Sequence, residues 1–249
     1  MTARIGYQNL LESGTVVASS ENAGYPVENA YDWRTFDYFR PAAGGTISID
    51  LTLSVAASAD YFAFYGQDLS SLSGTIKLQY WNGSSYVDCF SAVSPIDNAP
   101  VMKFFTPQSS DKWRVVIVCA SVFNIACIAF GAAMVMQQGA YLNWTPPALG
   151  RDTQLINSVS DGGAFLGRSI ISKGIRTTLE LQFTQEAWVR TNWLAFVRHA
   201  EQKPFFFAHN VETYPAEIAF LWVEDAIPPA RNTHYGYMGA SVPVKGLVE

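Results

Sequence analysis

The sequence is poor in the residues that several common classes of protein depend on. Of its 249 residues, three are cysteine and three are histidine, which argues against a disulfide scaffold or a zinc module. Charged residues make up 15%, against about 25% in an ordinary soluble domain. Lysine and arginine number 16 against 21 acidic residues, a net charge of −5. No basic surplus is therefore available to bind nucleic acid by displacing counterions, and no specific nucleic-acid partner is expected.

Apolar and aromatic residues are plentiful instead. Hydrophobic residues reach 49% and aromatic residues 14%, which excludes a disordered chain. The length allows one large β domain or two domains of average size. A chain with few charges and many aromatic rings is expected to bury surface against partners, which points to a component of an assembly.

One segment is long and apolar enough to suggest a membrane span. Residues 115–136 contain only Ser121 and Asn124 as polar side chains. The competing interpretation is two buried strands, 113–119 and 125–137, and it is favoured by the β-branched cluster at 115–118. No membrane span is predicted. No secretory signal is visible at the N-terminus, so we expect synthesis in the cytosol and reduced cysteines.

The hydrophobic pattern predicts a mainly β protein with a boundary after residue 137. A strand pattern ends there, and Pro146-Pro147 follows. Residues 1–137 have short strands, turn clusters and no convincing helix, which is typical of a β-sandwich jelly roll. The predicted strands are 46–51, 61–66, 75–81, 101–105, 113–119 and 125–136.

Residues 138–249 have an α+β pattern with one helix. Asp161-Gly162-Gly163 predicts a hairpin turn between two strands. A strand over 175–183 follows, and its odd-numbered residues share one face. Thr184 is a suitable N-cap for a helix over 185–202. Further strands are predicted at 205–208, 216–223 and 235–244.

Three consecutive phenylalanines in one of these strands must point to both faces of their sheet. Phe205 and Phe207 lie on one face, and Phe206 lies on the other. The strand must therefore be covered on both sides. Either the helix and a second sheet cover it, or a neighbouring subunit does.

No pattern of residues predicts catalysis or a cofactor. There is no nucleophile elbow, phosphate loop, Cys-x-x-Cys pair or calcium loop. His199, His209 and His234 stand apart in the sequence. The only adjacent acidic pair, Glu224-Asp225, is interpreted as a solvated strand end. The sequence predicts a protein that is not an enzyme and that has no metal and no cofactor.

An aromatic and charged loop is the remaining candidate site. Five aromatic rings between residues 29 and 41 alternate with Asp and Arg side chains. Such a loop could stack on sugar rings or anchor a protein partner. Alternatively, its rings plug the open end of the sandwich. The candidate ligand or partner residues are Tyr31, Asp32, Trp33, Arg34, Tyr38 and Arg40.

The first half of the chain resembles the galactose-binding-like (discoidin-type) jelly rolls. Ala30 and Asp32 match the opening motif of that family, and Asp50-Leu51 matches the end of its next strand. The stretches 75–86, 113–117 and 125–131 are similar to later strands of the family. The resemblance implies a sandwich that binds sugar, lipid or protein. It also implies a calcium near the Asp32 loop, although Trp33 stands where the family has glycine.

The second half resembles tail proteins of long-tailed bacteriophages. The similarity is carried by the hairpin, Arg168, the strand at 179–183, the Trp-containing helix and the stretches 204–207 and 214–222. It implies a tail-tube-like domain whose sheets close into a homo-oligomeric ring, located in the virion tail after synthesis in the bacterial host cytoplasm. The implied partners are other tail proteins, namely the tube, the hub and the tape measure. The expected inter-subunit contacts are Ile170, Ile175, Leu179, Leu181, Phe205 and Phe207.

Two functions follow as hypotheses. The first is a ring-forming minor or distal tail protein of the phage tail tip, which connects the tail tube to the tip or to host-recognition parts. The alternative is a carbohydrate-binding adhesin that recognises a host surface glycan through the 29–41 loop.

Overall fold

The computed structural model describes residues 3–137, 144–147 and 149–247. Within these residues the protein is mainly β with one short helix, as the sequence predicts. The strands of the first part are β1 (Arg4–Gly6), β2 (Thr15–Ala18), β3 (Gly45–Gln67), β4 (Thr75–Trp81), β5 (Tyr86–Asp88), β6 (Val101–Cys119), β7 (Ile125–Gly131) and β8 (Met134–Val135). Those of the second part are β9 (Arg151–Val159), β10 (Phe165–Gln185), β11 (Phe205–Ala208), β12 (Ile218–Val223), β13 (Arg231–His234) and β14 (Tyr237–Leu247).

Two long bent strands build the sandwich. The predicted strands 46–51 and 61–66 are the two ends of β3, and 101–105 and 113–119 are the two ends of β6. β3 and β6 pair with each other at both ends, with register shifts between. One end of β3 also pairs with β2, and the other end pairs with β7.

The core of the sandwich lies between these two ends. Ile47, Ile49 and Leu51 from the first end of β3 share one buried cluster with Phe62 and Phe64 from the second. Residues 47–51 alternate between this cluster and the opposite, more exposed face, as the period of two in a strand requires, and this alternation predicted the buried face. At the second end of β3 both faces are buried, because Tyr61, Ala63 and Tyr65 pack toward the second sheet.

The apolar segment over 115–136 forms strands. It contains the end of β6, all of β7, and β8. Every residue of β7 is buried, which explains its continuous apolar sequence. Among the residues that the structure describes, no helix has the length and hydropathy needed to span a membrane.

The second sheet contains strands from both ends of the chain. Its order is β8-β1-β11-β12-β14-β10-β9, and β13 pairs with β14. β1 pairs with β11, and its Ile5 lies opposite Phe207. Residues 4–6 and 134–135 were predicted as part of the N-terminal half, but they pair in the sheet of the C-terminal half. The sandwich is thus inserted between two strands of the second sheet, and the division at residue 137 stays a prediction.

The Phe-rich strand is covered on both faces by its own chain. Phe205 and Phe207 pack in the cluster that contains Trp193 and Phe196 of the helix. Phe206 packs in the cluster that joins the second sheet to the sandwich. The sequence left open whether the helix and a second sheet, or a neighbouring subunit, cover this strand. The structure shows the helix and a second sheet.

The helix α1, residues 186–200, begins one residue later than predicted. It consists of Glu186–Trp188, a π-helical turn Val189–Trp193, and Leu194–Ala200. Its N-cap is Gln185. Thr184, the predicted cap, is buried, and its hydroxyl has no hydrogen-bond partner, so the capping prediction is wrong. A register shift between Leu181 and Thr184 moves the threonine inward.

Candidate functional site

The predicted aromatic loop does not form one exposed site. Trp33 is only 3% exposed and lies in the contact between the sandwich and the second sheet. Its ring centroid is 6.4 Å from that of Phe220 and 5.2 Å from that of His199. Its indole nitrogen donates a hydrogen bond to the Glu12 carboxylate. Trp33 therefore serves packing, but against the second sheet and the helix and not as a plug of the open end of the sandwich.

A left-handed backbone turns the Trp33 side chain inward. Its φ is 68°, a conformation that glycine adopts without strain and bulky residues rarely adopt. This turn directs the tryptophan ring into the contact between the two sheets.

The acidic residues of the loop are engaged with an arginine. The Asp32 carboxylate accepts a hydrogen bond from the Arg34 amide at 2.9 Å, and it lies 3.6 Å from the Arg34 guanidinium. Asp37 lies 3.8 Å from the same guanidinium. Desolvation raises the pKa of Asp32, and Arg34 acts in the opposite direction. Across residues 3–137, 144–147 and 149–247, no group of three or more acidic, His or Cys side chains could hold a metal ion.

Two tyrosines and an arginine form a second, partly exposed cluster beside this loop. Tyr25 and Tyr38 stack with ring centroids 4.9 Å apart and an interplanar angle of 8°. The Arg40 guanidinium lies 4.5 Å from the Tyr25 centroid and 5.1 Å from that of Tyr38. Arg40 also donates to the Asn124 side chain at 2.8 Å, and Asn124 donates to Asp68. We call Tyr25, Tyr38, Arg40, Asn124 and Asp68 the tyrosine cluster.

The sequence identified only part of this cluster. Tyr38 and Arg40 were among the predicted site residues. Tyr31, another predicted site residue, is half-buried and packs beside the sandwich core, outside the tyrosine cluster. Tyr25, Asp68 and Asn124 were missed as site residues. They come from three other loops, so no local spacing could have indicated that they meet.

Most of the predicted inter-subunit contacts lie in the core of their own chain. Only Ile170 is exposed, at 54%. The others are buried because the second half of β10 pairs with β14 and packs under the helix, while β11 is central in the sheet. Those buried residues are Ile175, Leu179, Leu181, Phe205 and Phe207.

The first half of β10 forms an apolar arm together with β9. The two strands pair from Phe165 opposite Val159 to Ile175 opposite Arg151, and the predicted Gly-containing turn joins them. β14 pairs with β10 only from Ile175 onward. We call residues 151–174 the hairpin arm. Seven of its apolar residues are exposed: Leu155, Ile156, Val159, Phe165, Leu166, Ile170 and Ile171.

One face of the arm carries an apolar ladder. Leu155 pairs with Ile170, and Val159 pairs with Phe165, so these four side chains share a face. Between them, Arg168 donates a hydrogen bond to the Asn157 side chain at 2.8 Å. Ile156 lies on the opposite face. Both faces of the arm therefore present apolar surface to solvent.

Burial, rather than a shared site, determines the state of two cysteines and two histidines. The three cysteines are free, and burial raises the pKa of Cys89 to about 12 and that of Cys127 further. Burial lowers the pKa of His199, whose Nε2 lies 2.8 Å from the Pro204 carbonyl oxygen. Burial also lowers the pKa of His209. Such thiols are protonated at neutral pH and are poor nucleophiles.

Comparison with known proteins assigns no family. No family model matches the chain, and no curated protein matches it.

Several solved structures resemble about half of the chain, and carbohydrate-binding modules are among them. A pectin-binding carbohydrate-binding module is 17% identical, with a TM-score of 0.39, over 47% of this chain and 88% of that one. The chitosan-binding module 1 of a chitosanase/glucanase from Paenibacillus sp. IK-5 is 16% identical, with a TM-score of 0.42, over 50% and 98%. A Ruminococcus gnavus fucosidase is 18% identical, with a TM-score of 0.43, over 51% of this chain but 27% of its own. Likeness at this level assigns no ligand to this chain.

Proposed function

We propose that this protein is a structural subunit that assembles with copies of itself through the hairpin arm. The observation that carries the proposal is the arm itself, which exposes seven large apolar side chains on two faces. Edge strands of soluble proteins usually carry charges, prolines or a covering element, because bare edges associate. The arm contains no proline, and its burial in an assembly would remove both its apolar surface and its unpaired backbone groups from water.

The Phe-rich strand lends no support to this proposal. Its three rings are covered within the chain, so they need no neighbour. Assembly is therefore inferred from residues 151–174 alone.

We further propose that the assembly belongs to the tip of a long-tailed phage tail, with this chain as a minor or distal tail protein. This finer assignment rests on the resemblance of the second half of the sequence to tail proteins. It implies a ring, a place in the virion and contacts with the tube, hub or tape-measure proteins. A tape-measure-like gene beside the gene for this chain would support the assignment, and a neighbourhood of unrelated metabolic genes would count against it.

The assembly is tested by measuring mass in solution. In sedimentation experiments, we expect the mass of the wild-type protein to exceed the 27.4 kDa of one chain. This mass should increase with protein concentration. Replacing Leu155 and Ile170 by serine should return the protein to the monomer mass. The matched control replaces Val55 and Ile96, exposed apolar residues of the sandwich, and should leave the mass unchanged. A wild-type protein that stays monomeric at all concentrations would refute the proposal.

A second candidate function, carbohydrate binding by the sandwich, is favoured by the tyrosine cluster. Partly exposed aromatic rings beside an arginine, an amide and a carboxylate provide both a stacking surface and hydrogen-bond partners for sugar hydroxyls. Binding on a glycan array should be lost in Tyr38→Ala. Phe36→Ala, a change of an exposed ring outside the cluster, is the control. Unchanged binding in Tyr38→Ala, or no binding by the wild type, would exclude this function.

A further inference from the structure

We propose that the tip of the hairpin arm docks into an apolar groove beside helix α1 of a second copy of the chain. This inference rests on the proposed function and adds the surface that receives the arm. It makes each copy both a donor of one arm and an acceptor of another.

The groove lies between the helix and the segment that precedes β13. It has a volume of about 290 Å³. Trp193, Leu194 and Val197 line its helix side, and Pro228 and Met238 line the other. Leu194 is half exposed at 50%. The groove thus offers an apolar floor with one open side.

The tip of the arm has side chains of suitable chemistry and size. Phe165 and Leu166 are 64% and 67% exposed and stand next to the turn at Asp161. Leu166 is the extra residue of a bulge, because Phe165 pairs with Val159 and Gly167 pairs with Ser158. A groove of this volume accommodates about two large apolar side chains, which this tip supplies.

The arm cannot reach the groove of its own chain. β10 is a single strand from Phe165 to Gln185, and the helix begins directly after it. At a rise of about 3.3 Å per residue, the tip lies roughly 70 Å along the strand from the start of the helix. An arm that enters this groove must therefore belong to another copy of the chain.

Charges at the two surfaces are complementary, which favours a second copy as that occupant. Asp161 and Arg168 flank the apolar tip. Arg190 lines the groove, and it forms an ion pair with Glu186, which lies one turn earlier in the helix. One charge of each sign on each surface permits two opposite-charge contacts around the apolar centre, and such rim charges fix orientation.

A contact between two different surfaces has a consequence for symmetry. It joins copies head to tail, and repeated head-to-tail contacts close into a ring when the rotation allows. Two arms that paired with each other would instead make a closed dimer. The two arrangements are therefore distinguishable by experiment.

The test uses single-cysteine variants of the full chain in a Cys89→Ser background, where the two remaining cysteines are buried. Phe165→Cys and Leu194→Cys proteins are mixed and treated with a short thiol cross-linker. We expect covalent dimers to form in the mixture. No dimers should form when either variant is treated alone. Replacing Leu194→Cys by Ile96→Cys, an exposed position of the sandwich, should give no dimer.

Three outcomes would overturn the inference. If the proteins form oligomers by sedimentation but the mixture does not cross-link, the arm docks elsewhere and the proposed function stands. If Phe165→Cys alone cross-links as well as the mixture does, the arms pair with each other. If all variants are folded and monomeric, the inference fails together with the proposed function.

Discussion

At the scale of single residues, Trp33 shows how a residue that suggests a binding site can serve the fold instead. It faces Phe206 and Phe220 of the second sheet and His199 of the helix. Its partner Glu12 also accepts a bond from Lys203. One side chain thus links the sandwich, the second sheet and the end of the helix. The sequence could not reveal this, because these partners lie far from residue 33 in the chain.

Trp33→Ala is expected to destabilise the protein by about 3–5 kcal/mol, because it removes a large buried ring and leaves a cavity. Urea unfolding followed by circular dichroism measures the change. Phe36→Ala, in the same loop but exposed, should change the free energy of unfolding by less than about 0.5 kcal/mol. A stable Trp33→Ala protein would show that the contact between the sheets is formed in some other way.

His199 predicts a dependence of stability on pH. Burial holds its pKa below the ordinary 6.5, so the unfolded chain takes up the proton first as the pH falls. The stability present above pH 6.5 should therefore decline as the pH falls from there through the folded-state pKa. His209, whose pKa is also lowered by burial, should act in the same direction.

The measurement is the free energy of unfolding of wild type and His199→Gln across this range. The variant should show a shallower decline than the wild type. Asn232→Gln, a change of a residue that does not titrate at an exposed position of β13, is the control and should keep the wild-type slope. Equal slopes for wild type and His199→Gln would contradict the assignment.

At the scale of secondary-structure elements, β10 divides into two halves with different roles. Residues from Ile175 to Leu181 alternate between core and surface while they pair with β14. Residues before Ile175 are exposed almost throughout. The same strand therefore belongs to the core at one end and to the arm at the other.

Substitutions in the two halves should differ in their effect on stability. Leu179→Ala should cost about 2–5 kcal/mol, since Leu179 is fully buried. Ile171→Ser should cost less than about 0.5 kcal/mol when measured at a concentration where the chain is monomeric. Thermal unfolding of both variants gives the comparison. A large decrease in the free energy of unfolding for Ile171→Ser under these conditions would mean that the arm packs on its own chain.

Elements with a strong local signal were predictable from the sequence. The helix, the Gly-containing hairpin and the Phe-rich strand lie where the hydrophobic period and the turn residues indicate. The bulge at Phe183 was not predictable, because the odd-numbered pattern suggests that it faces the core. Its φ of 54° and its exposure of 48% show that the pattern ends at Leu181. An alternating pattern of apolar residues does not indicate where the pairing register of a strand shifts.

At the scale of the whole molecule, the first and last strands of the described residues, β1 and β14, belong to the same sheet. β1 lies between β8 and β11, and the sandwich is inserted between β1 and β8. A three-residue strand carries too little sequence for a pattern to identify its partner. This is why no strand was predicted at residues 4–6, and why residues 134–135 were predicted only as the end of the strand at 125–136.

The inserted topology predicts that the second half does not fold alone. A fragment of residues 138–249 lacks β1 and β8, which leaves the edge of β11 and the face of Phe206 uncovered. We expect this fragment to lack a cooperative thermal transition by circular dichroism. The full chain, purified in the same way, should show one. A fragment with a sharp transition of its own would show that β1 and β8 are dispensable.

The central claim is that residues 151–174 are an assembly surface, and amide hydrogen exchange tests it directly. The account predicts that amides of the hairpin arm exchange quickly in dilute protein and become protected as concentration and mass increase, while amides of β7 stay protected throughout. Fast exchange in the arm at every concentration, with the mass remaining that of one chain, would contradict it.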